Sequence, residues 1–197
     1  MKSKKVTGRA LSHEQCADLV RSAASGDAAS LERLLKRAQE VAGRFSRSVC
    51  GHAGDAEDAV QEALIRTYRN VGRIRDPEAF RPWLYRTVRN ACLVGRRKRS
   101  GEPARISTLD DTLPGFSRTP EQLADAAALR RQLRRALRAL PGPYREVVFL
   151  RELEGLSTQE VARVTGISED NVKTRLRRAR GQLRQILGGN PPHPSAH

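Results

Sequence analysis

A run of cationic side chains recurs at helical spacing near the C-terminal end of the chain. Lys173, Arg177, Arg180 and Arg184 are three or four residues apart, so a helix would place them on one face. Lysine and arginine neutralise phosphates, and arginine can donate two hydrogen bonds to the edge of a guanine. The chemistry that these side chains predict is therefore the binding of DNA rather than covalent catalysis.

The residues around this run predict a helix-turn-helix over 158–177. Ser157 and Glu160 form the Ser-x-x-Glu pattern of a capping box, which starts the first helix. Gly166 stands where that helix must end, and Ser168 is placed to cap the second helix. An apolar stripe along the second helix, which packs on its own domain, consists of Val172, Leu176, Ala179 and Leu183. The cationic face, with Thr174 and Arg178 at its border, therefore stays uncovered and can enter a DNA major groove.

The charge balance of the whole chain agrees with a nucleic-acid partner. The 197 residues include 37 Lys and Arg against 22 Asp and Glu, giving a net charge of +15. Such a surplus indicates a polyanionic partner, because it otherwise only adds self-repulsion. Apolar runs stay below the roughly 18 residues that span a bilayer, and the N-terminus lacks a secretory signal. We therefore expect a cytoplasmic protein without stable membrane insertion.

The cysteines predict neither a disulfide framework nor a metal site. Cys16, Cys50 and Cys92 are odd in number and widely spaced, as in proteins of a reducing compartment. Cys50 and His52 are close enough in sequence to share a metal ion, but no second pair completes a zinc pattern. The cysteines are interpreted as small core residues. We predict no metal and no cofactor.

Helical periodicity divides the chain into two all-α domains joined by a flexible linker. We predict a flexible extension over 1–12, a helical domain over 13–100, a linker over 101–121, a second helical domain over 122–187 and a disordered tail over 188–197. In the helix that begins at Asp58, the predicted buried stripe is Val60, Ala63, Leu64, Tyr68 and Val71. That stripe turns Asp58, Gln61, Glu62 and Ile65 away from the core, as a protein-binding surface would be.

Three segments, in this order, resemble the extracytoplasmic-function type of bacterial RNA polymerase sigma factor. They are DAEDAVQEALIRTYRN, FRPWLYRTVRN, and ALRALPGPYREVVFLRELEGLSTQEVA followed by NVKTRLRRARGQL. The resemblance implies a region 2-like domain that binds core polymerase and the minus-ten element, and a region 4-like domain that binds the minus-thirty-five element. It also implies promoter DNA as a partner, both as duplex and as melted non-template strand. A further implied partner is an anti-sigma factor.

The resemblance assigns individual residues. The polymerase-binding motif maps onto 58–71, with Asp58, Gln61, Glu62 and Ile65 as contacts and with Asp55 and Glu57 as capping residues or minor contributors. In the minus-ten segment, Asn90 corresponds to a pocket for a flipped promoter base. A planar indole can hold or replace a base, so Trp83 is a second candidate, with Arg86 and Arg89 on phosphates. Phe80 is expected in the core. The minus-thirty-five contacts map onto Lys173, Thr174, Arg177 and Arg178, with Arg175 on phosphate or paired within its own domain.

The minus-ten segment also departs from the family pattern. Many relatives carry an aspartate four residues after the asparagine, whereas this chain has Val94 followed by Gly95. We expect this difference to end the helix early or to weaken it. The basic cluster that follows, Arg96–Arg99, could lie against the duplex backbone upstream.

Two other classes of function remain open from the residues alone. A stand-alone regulator that binds an operator as a dimer would need a dimerising or effector-sensing domain. A nucleic-acid-processing enzyme would need a Ser or Tyr nucleophile, or clustered acids such as Asp55, Glu57, Asp58 and Glu62. The chain carries no phosphate-binding loop, zinc-protease motif or nucleophile elbow. We therefore predict a non-enzyme with no catalytic residue and no small-molecule substrate.

Overall fold

A computed structural model of the chain describes residues 13–50, 52–98 and 120–188, which form eight α-helices. The first four make an N-terminal bundle: α1 (His13–Ala24), α2 (Ala28–Val49), α3 (Ala53–Asn70) and α4 (Phe80–Lys98). Asp27 caps α2, its carboxylate accepting hydrogen bonds from the backbone nitrogens of Ala29 and Ser30, both at 3.2 Å. The all-α fold predicted from the sequence is confirmed.

The other four helices make a C-terminal bundle. They are α5 (Pro120–Ala139), α6 (Gly142–Val148), α7 (Thr158–Thr165) and α8 (Glu169–Leu187). A π-helical segment, Phe149–Leu153, continues directly from α6. Because α5 begins at Pro120, the last two residues assigned to the linker belong to a helix. The remainder of the predicted linker, the extension 1–12 and the tail beyond Gly188 lie outside the described residues.

The helix-turn-helix forms through the local contacts that the sequence predicted. The backbone nitrogen of Ser157 donates to the Glu160 carboxylate at 2.7 Å, and that of Glu160 donates to the Ser157 hydroxyl at 3.2 Å. Gly166 ends α7 with φ +69°, in the left-handed region. The Ser168 hydroxyl then accepts from the backbone nitrogen of Asn171 at 3.3 Å, which starts α8. The two helices are thus fixed mainly by residues next to one another in sequence.

Replacing Gly166 with alanine should lower the free energy of unfolding by about 1–2 kcal/mol, the usual cost of left-handed backbone for a residue with a Cβ. A Cβ at this position would meet no atom within 4 Å, so the loss would be purely conformational. The matched control is Gly181→Ala, since Gly181 lies inside α8 with equally open space. That change should stabilise the protein by roughly 0.5–1 kcal/mol. Urea denaturation measures both, and equal effects would contradict the conformational explanation.

The two bundles pack against each other and share one continuous apolar core. Helix α4 lies against α7, and α2 lies against α6. The buried residues of both bundles, from Cys16 in α1 to Ala179 in α8, form a single cluster. Within the described part of the chain, no helix combines the length and apolarity needed to cross a membrane. Contact between the bundles was not predicted from the sequence, which suggested two domains separated by a linker.

One expectation about the core of α3 is wrong. Tyr68, predicted to be buried, is 63% exposed, whereas Thr67 beside it is fully buried. The Thr67 hydroxyl donates to the backbone oxygen of Ala63 at 2.8 Å, so its polar atom is satisfied inside the bundle. The buried face of α3 consists of small residues, Ala56, Ala59, Ala63 and Thr67, against which neighbouring helices approach closely. A tyrosine on that face would hold the helices apart.

The interpretation of the cysteines is also wrong in part. Cys50, at the end of α2, and Cys92, in α4, form a disulfide across a Cα–Cα distance of 5.1 Å. Their separation of 42 residues conceals this proximity, which arises from the packing of α2 against α4. Because the Cys50 sulfur is bonded to Cys92, the metal site considered for Cys50 and His52 is not formed. Cys16 is free and buried, as expected for a core residue.

Reduction of this disulfide should lower the free energy of unfolding by about 4 kcal/mol, since the bond closes a loop of intermediate length in the unfolded chain. Thermal unfolding with and without a thiol reductant measures the effect. A Cys50→Ala/Cys92→Ala variant should unfold at a lower temperature that does not respond to reductant. An equal response in the variant would show that the reductant acts elsewhere.

The expected early end of α4 at Val94 and Gly95 is not observed. The helix continues to Lys98. A Cβ at position 95 would lie 2.8 Å from the carboxyl carbon of Asp55, so glycine allows the first turn of α3 to approach α4 closely. Asp55 is itself buried there, and the residue preceding α3 is His52, so Asp55 is not the cap that was predicted. The side chains of the basic cluster Arg96–Arg99 lie outside the described residues.

Candidate nucleic-acid and protein interfaces

The outer face of α8 presents the cations that the sequence singled out. Lys173, Arg177 and Arg178 are exposed, whereas Thr174 and Arg175 are half-buried. The packing stripe is confirmed, since Val172, Leu176 and Ala179 are buried and Leu183 packs against them. A helix buried on one side and cationic on the other can enter a major groove without disturbing its own bundle.

Two cations of this helix pair with carboxylates of the C-terminal bundle. The Lys173 ammonium donates to Asp170 at 3.0 Å, and this hydrogen bond raises the pKa of Lys173, so the side chain stays charged. The pair is fully exposed and therefore contributes little stability, so a phosphate can replace Asp170. Arg180 donates to Glu152 of the π-helical segment at 2.5 Å. The side chain of Arg180 is therefore directed towards its own bundle.

Helix α4 leaves two of its four candidate minus-ten residues exposed and a third half-buried against the core. Trp83, Arg86 and Asn90 recur at spacings of three and four, Arg86 and Asn90 being exposed and Trp83 half-buried. Phe80 is buried, as predicted, and its ring centroid lies 5.9 Å from that of Trp83. Arg89 is placed differently, since its Nε donates to Glu146 of α6 at 2.6 Å.

A basic cleft beside Trp83 was missed by the sequence reasoning. It has a volume of about 600 Å³, which is in the range of ligand-binding clefts. Three arginines line it together with the indole, namely Arg66, Arg73 and Arg75. The 3₁₀ turns Val71–Arg73 and Pro77–Ala79 bring these residues to the start of α4. Guanidinium groups around an aromatic plane suit a phosphate and an unstacked base. The only sequence signal was the spacing of arginines in an otherwise unassigned turn.

The exposed face of α3 carries the acids and the isoleucine that were predicted to meet a protein. Asp58, Gln61 and Ile65 are exposed, Ile65 to 45%. Glu62 is half-buried and accepts a hydrogen bond from Arg66 at 2.6 Å. Tyr68 extends the same face by one helical turn, since it follows Ile65 by three residues. This exposed aromatic was missed because helical spacing placed it on the predicted buried stripe.

The α3 face and the α4 face meet at a second cleft. It is lined by Asp58 and Glu62 from α3 and by Thr87 and Asn90 from α4. Asn90 and Trp83 therefore do not share a cleft, although they lie on the same side of α4. One large partner could cover the α3 face while a strand of nucleic acid follows α4.

Comparison with protein-family models divides the chain into the same two parts. A model described as Sigma-70 region 2 matches residues 31–102, and one described as Sigma-70, region 4 matches residues 130–183. The first covers the α3 and α4 faces, and the second covers the helix-turn-helix.

Curated relatives match over nearly the whole chain. The ECF RNA polymerase sigma factor SigM of Mycobacterium tuberculosis is 34% identical over 177 residues, which cover 89% of this chain and 87% of that protein. The ECF RNA polymerase sigma-E factor of Escherichia coli K12 is 35% identical over 178 residues, covering 85% of this chain and 92% of the relative.

Solved structures share the fold. CnrH, in complex with the cytosolic domain of CnrY, superposes with a TM-score of 0.57 and 27% identity, covering 88% of this chain and 97% of CnrH. The sigma factor RpoE of Bartonella quintana, in complex with the anti-sigma factor NepR, gives a TM-score of 0.62 at 21% identity, covering 80% and 96%.

Proposed function

The chain belongs to the extracytoplasmic-function family of RNA polymerase sigma factors, and we propose from this that it binds core RNA polymerase and directs promoter-specific initiation of transcription. It recognises and melts the minus-ten element through the N-terminal bundle, and it binds the minus-thirty-five element through the C-terminal bundle. The observation that carries this function is the exposed cationic face of α8, formed inside a capped helix-turn-helix. Polymerase performs the covalent chemistry, and this chain supplies specificity.

The polymerase contact is assigned to the exposed face of α3. Its acids are unusual on a chain with a net charge of +15, and Ile65 and Tyr68 add exposed apolar area beside them. Interfaces of this kind combine a desolvated apolar centre with charges at the rim. The contacts proposed are Asp58, Gln61, Glu62, Ile65 and Tyr68.

The minus-ten contacts are assigned to the outer side of α4. Asn90 is exposed and can hydrogen-bond the edge of a base that has left the stack. Trp83 offers a ring plane within the basic cleft, and the exposed Arg86 can follow the phosphates of the non-template strand. Arg73 and Arg75 are added to the contacts predicted from the sequence because they line that cleft.

The minus-thirty-five contacts are assigned to α8. Lys173, Arg177 and Arg178 lie on its open face, with Thr174 beside them, where base edges are within reach. Arg175 is half-buried at the border of the packing face, which suits a phosphate contact.

Two further proposals rest on the relatives. CnrH and RpoE were solved with CnrY and with an anti-sigma factor, respectively, so an anti-sigma factor is proposed as a partner of this chain. Because the chain works with polymerase on chromosomal DNA, its proposed location is the bacterial cytoplasm. An operator-binding dimer is not favoured, because relatives named as sigma factors match along nearly the full length.

Run-off transcription tests the function directly. Core polymerase is combined with the purified chain and a library of promoter fragments, and the transcribed fragments are sequenced. We expect the transcribed fragments to share two sequence elements at a fixed separation, and we expect no transcripts from core polymerase alone. Absence of a chain-dependent transcript from every fragment would contradict the proposed function.

A further inference from the structure

The disulfide between Cys50 and Cys92 lies where α2, α3 and α4 pack together. Cys50 caps the end of α2, and α3 begins three residues later at Ala53. Cys92 lies in the interior of α4. Both cysteines are buried. The bond therefore ties the end of α2, and with it the turn that leads into α3, to α4.

Both proposed interfaces of the N-terminal bundle are close to this bond. Asn90, the proposed base contact, precedes Cys92 by two residues. Asp58, a proposed polymerase contact, lies in the second turn of α3. The cleft between α3 and α4 is lined by Asn90 and Asp58 together. A change in how firmly α3 is held to α4 therefore changes the surface at which polymerase is proposed to bind.

The start of α3 depends on contacts with α4. Within the described chain, the His52 side chain at the N-cap of α3 makes no capping hydrogen bond, whereas α2, α7 and α8 each begin with a capping side chain. A helix end without a cap opens more readily than a capped one. Two contacts with α4 hold this turn. Asp55 lies against Gly95, and Cys50, two residues before the cap, is bonded to Cys92.

The proposed location makes this bond conditional. In the cytoplasm, cellular thiols keep most cysteines reduced, and the disulfides that do form there are usually transient or redox-sensing. The Cα atoms of Cys50 and Cys92 are 5.1 Å apart, within the usual span of a disulfide. The bond can therefore form and break while the two helices keep their positions. A purely structural disulfide would not be expected in this compartment.

We propose that Cys50 and Cys92 form a reversible oxidation site, at which a peroxide joins the two thiols and a dithiol reductant separates them. The oxidised form fixes the first turn of α3 against α4 and binds core polymerase more tightly. The reduced form leaves that turn free to open, which moves Asp58 away from its binding position. The proposal rests on the proposed function, because it treats the α3 face as the polymerase contact.

The oxidation transfers two electrons from the sulfurs to the peroxide. Helix ends open more easily than helix centres, so Cys50 is the thiol that meets hydrogen peroxide. Its sulfur attacks one oxygen, the O–O bond breaks, and the departing hydroxide takes the thiol proton to leave a sulfenic acid and water. The Cys92 sulfur then attacks that of Cys50, forming the S–S bond and releasing a second water. Thiol–disulfide exchange with a dithiol restores both thiols and oxidises the dithiol to a disulfide.

The third cysteine supplies a matched control. Cys16 is free and buried in α1. Burial raises the pKa of its thiol, which keeps it protonated and therefore a poor nucleophile. Replacing Cys16 with alanine removes a thiol but leaves the oxidation site complete.

The test compares the two redox states of the full chain. The chain is equilibrated in glutathione buffers from reducing to oxidising, its free thiols are alkylated, and the disulfide fraction is measured by mass spectrometry. Hydrogen exchange then reports the opening of 52–58, and surface-immobilised core polymerase reports affinity. The variants are Cys50→Ala/Cys92→Ala, which cannot form the bond, and Cys16→Ala.

We expect the bond to form and break within the range of these buffers. On reduction, exchange at 52–58 should accelerate about tenfold and polymerase affinity should fall about tenfold, a fraction of the effect that a disulfide has on global stability. Cys16→Ala should show both responses. Cys50→Ala/Cys92→Ala should behave as the reduced wild type in every buffer.

Several results would overturn the oxidation site. One is a bond that stays intact in the most reducing buffer or never forms in the most oxidising one. Another is loss of exchange protection along the whole chain on reduction, which would identify the bond as a structural staple. Equal exchange and equal affinity in the two states would also overturn it. If the double variant does not fold, Cys92→Ala replaces it. Peroxide should then leave a sulfenic acid at Cys50 that a carbon nucleophile traps, and its absence would contradict the site.

The two readouts separate this proposal from the proposed function. Redox-dependent exchange in a chain that binds polymerase in neither state would contradict the function, while the reversible oxidation and its effect on α3 would stand. A chain that supports run-off transcription equally in both states, with unchanged exchange at 52–58, would contradict the oxidation site alone.

Discussion

Replacing Arg177 and Arg178 with alanine is expected to weaken binding of the C-terminal bundle to its minus-thirty-five element by at least roughly thirtyfold. Each bidentate contact to a base contributes about 1–3 kcal/mol of discrimination, and each 1.4 kcal/mol corresponds to about tenfold in affinity. Both guanidinium groups are exposed, and no residue in the described part of the chain is seen paired with either. Fluorescence anisotropy of holoenzyme on promoter duplexes, with and without the element selected in run-off transcription, measures the effect.

The control must remove the same charge from elsewhere on the same bundle. Arg131 and Arg135 are exposed on α5, outside the helix-turn-helix. Arg131→Ala/Arg135→Ala should weaken binding to all duplexes slightly, with little change in preference between sequences. If both double variants lower affinity equally and for every sequence, α8 contributes only non-specific attraction and does not read bases.

Reversing the charge of the acids on α3 should have the second large effect. In Asp58→Arg/Glu62→Arg protein, the affinity for core polymerase is expected to fall by roughly a hundredfold or more, because like charges then face each other across the interface. Among the described residues, the pair lost is the exposed one between Glu62 and Arg66, which contributes a few tenths of a kcal/mol. Surface-immobilised core polymerase and run-off transcription measure the loss.

A matched reversal tests whether position matters rather than total charge. Glu14→Arg/Glu32→Arg makes the same change at exposed positions of α1 and α2. This control should fold as the wild type does and should retain polymerase binding. Equal loss in both variants would show that the added positive charge, and not the α3 face, is responsible.

Much of the local structure could be predicted from the sequence. The capping box of Ser157 and Glu160, the left-handed Gly166 and the Ser168 cap all appear as expected, because each depends on residues within four positions. The separation of α8 into an apolar stripe and a cationic face is also local, since it follows from helical periodicity. The family resemblance then indicated which faces meet polymerase and DNA, and comparison with relatives confirmed the family.

Prediction was less successful where helical spacing alone had to decide which side chains are buried. Tyr68 was placed in the core because it falls on the predicted stripe with Ala63 and Leu64, whereas the core of α3 is built from alanines and from Thr67. These small residues allow neighbouring helices to approach α3 closely. How close they must come depends on the packing of those helices and cannot be read from α3 alone. Gly95 is a similar case. A side chain at this position would collide with Asp55 of α3, so the need for glycine comes from the neighbouring helix and not from α4 itself.

What the sequence determined by itself, then, is the set of helices, their caps, their amphipathic faces and the family to which the chain belongs. The folded chain alone shows that Cys50 meets Cys92 across 42 residues, that Arg89 meets Glu146 across 57, and that Tyr85 meets Glu154 across 69. The physical reason is the distance along the chain over which each interaction acts. Caps and periodicity act within a turn or two of helix, whereas these partners are brought together by the packing of whole bundles.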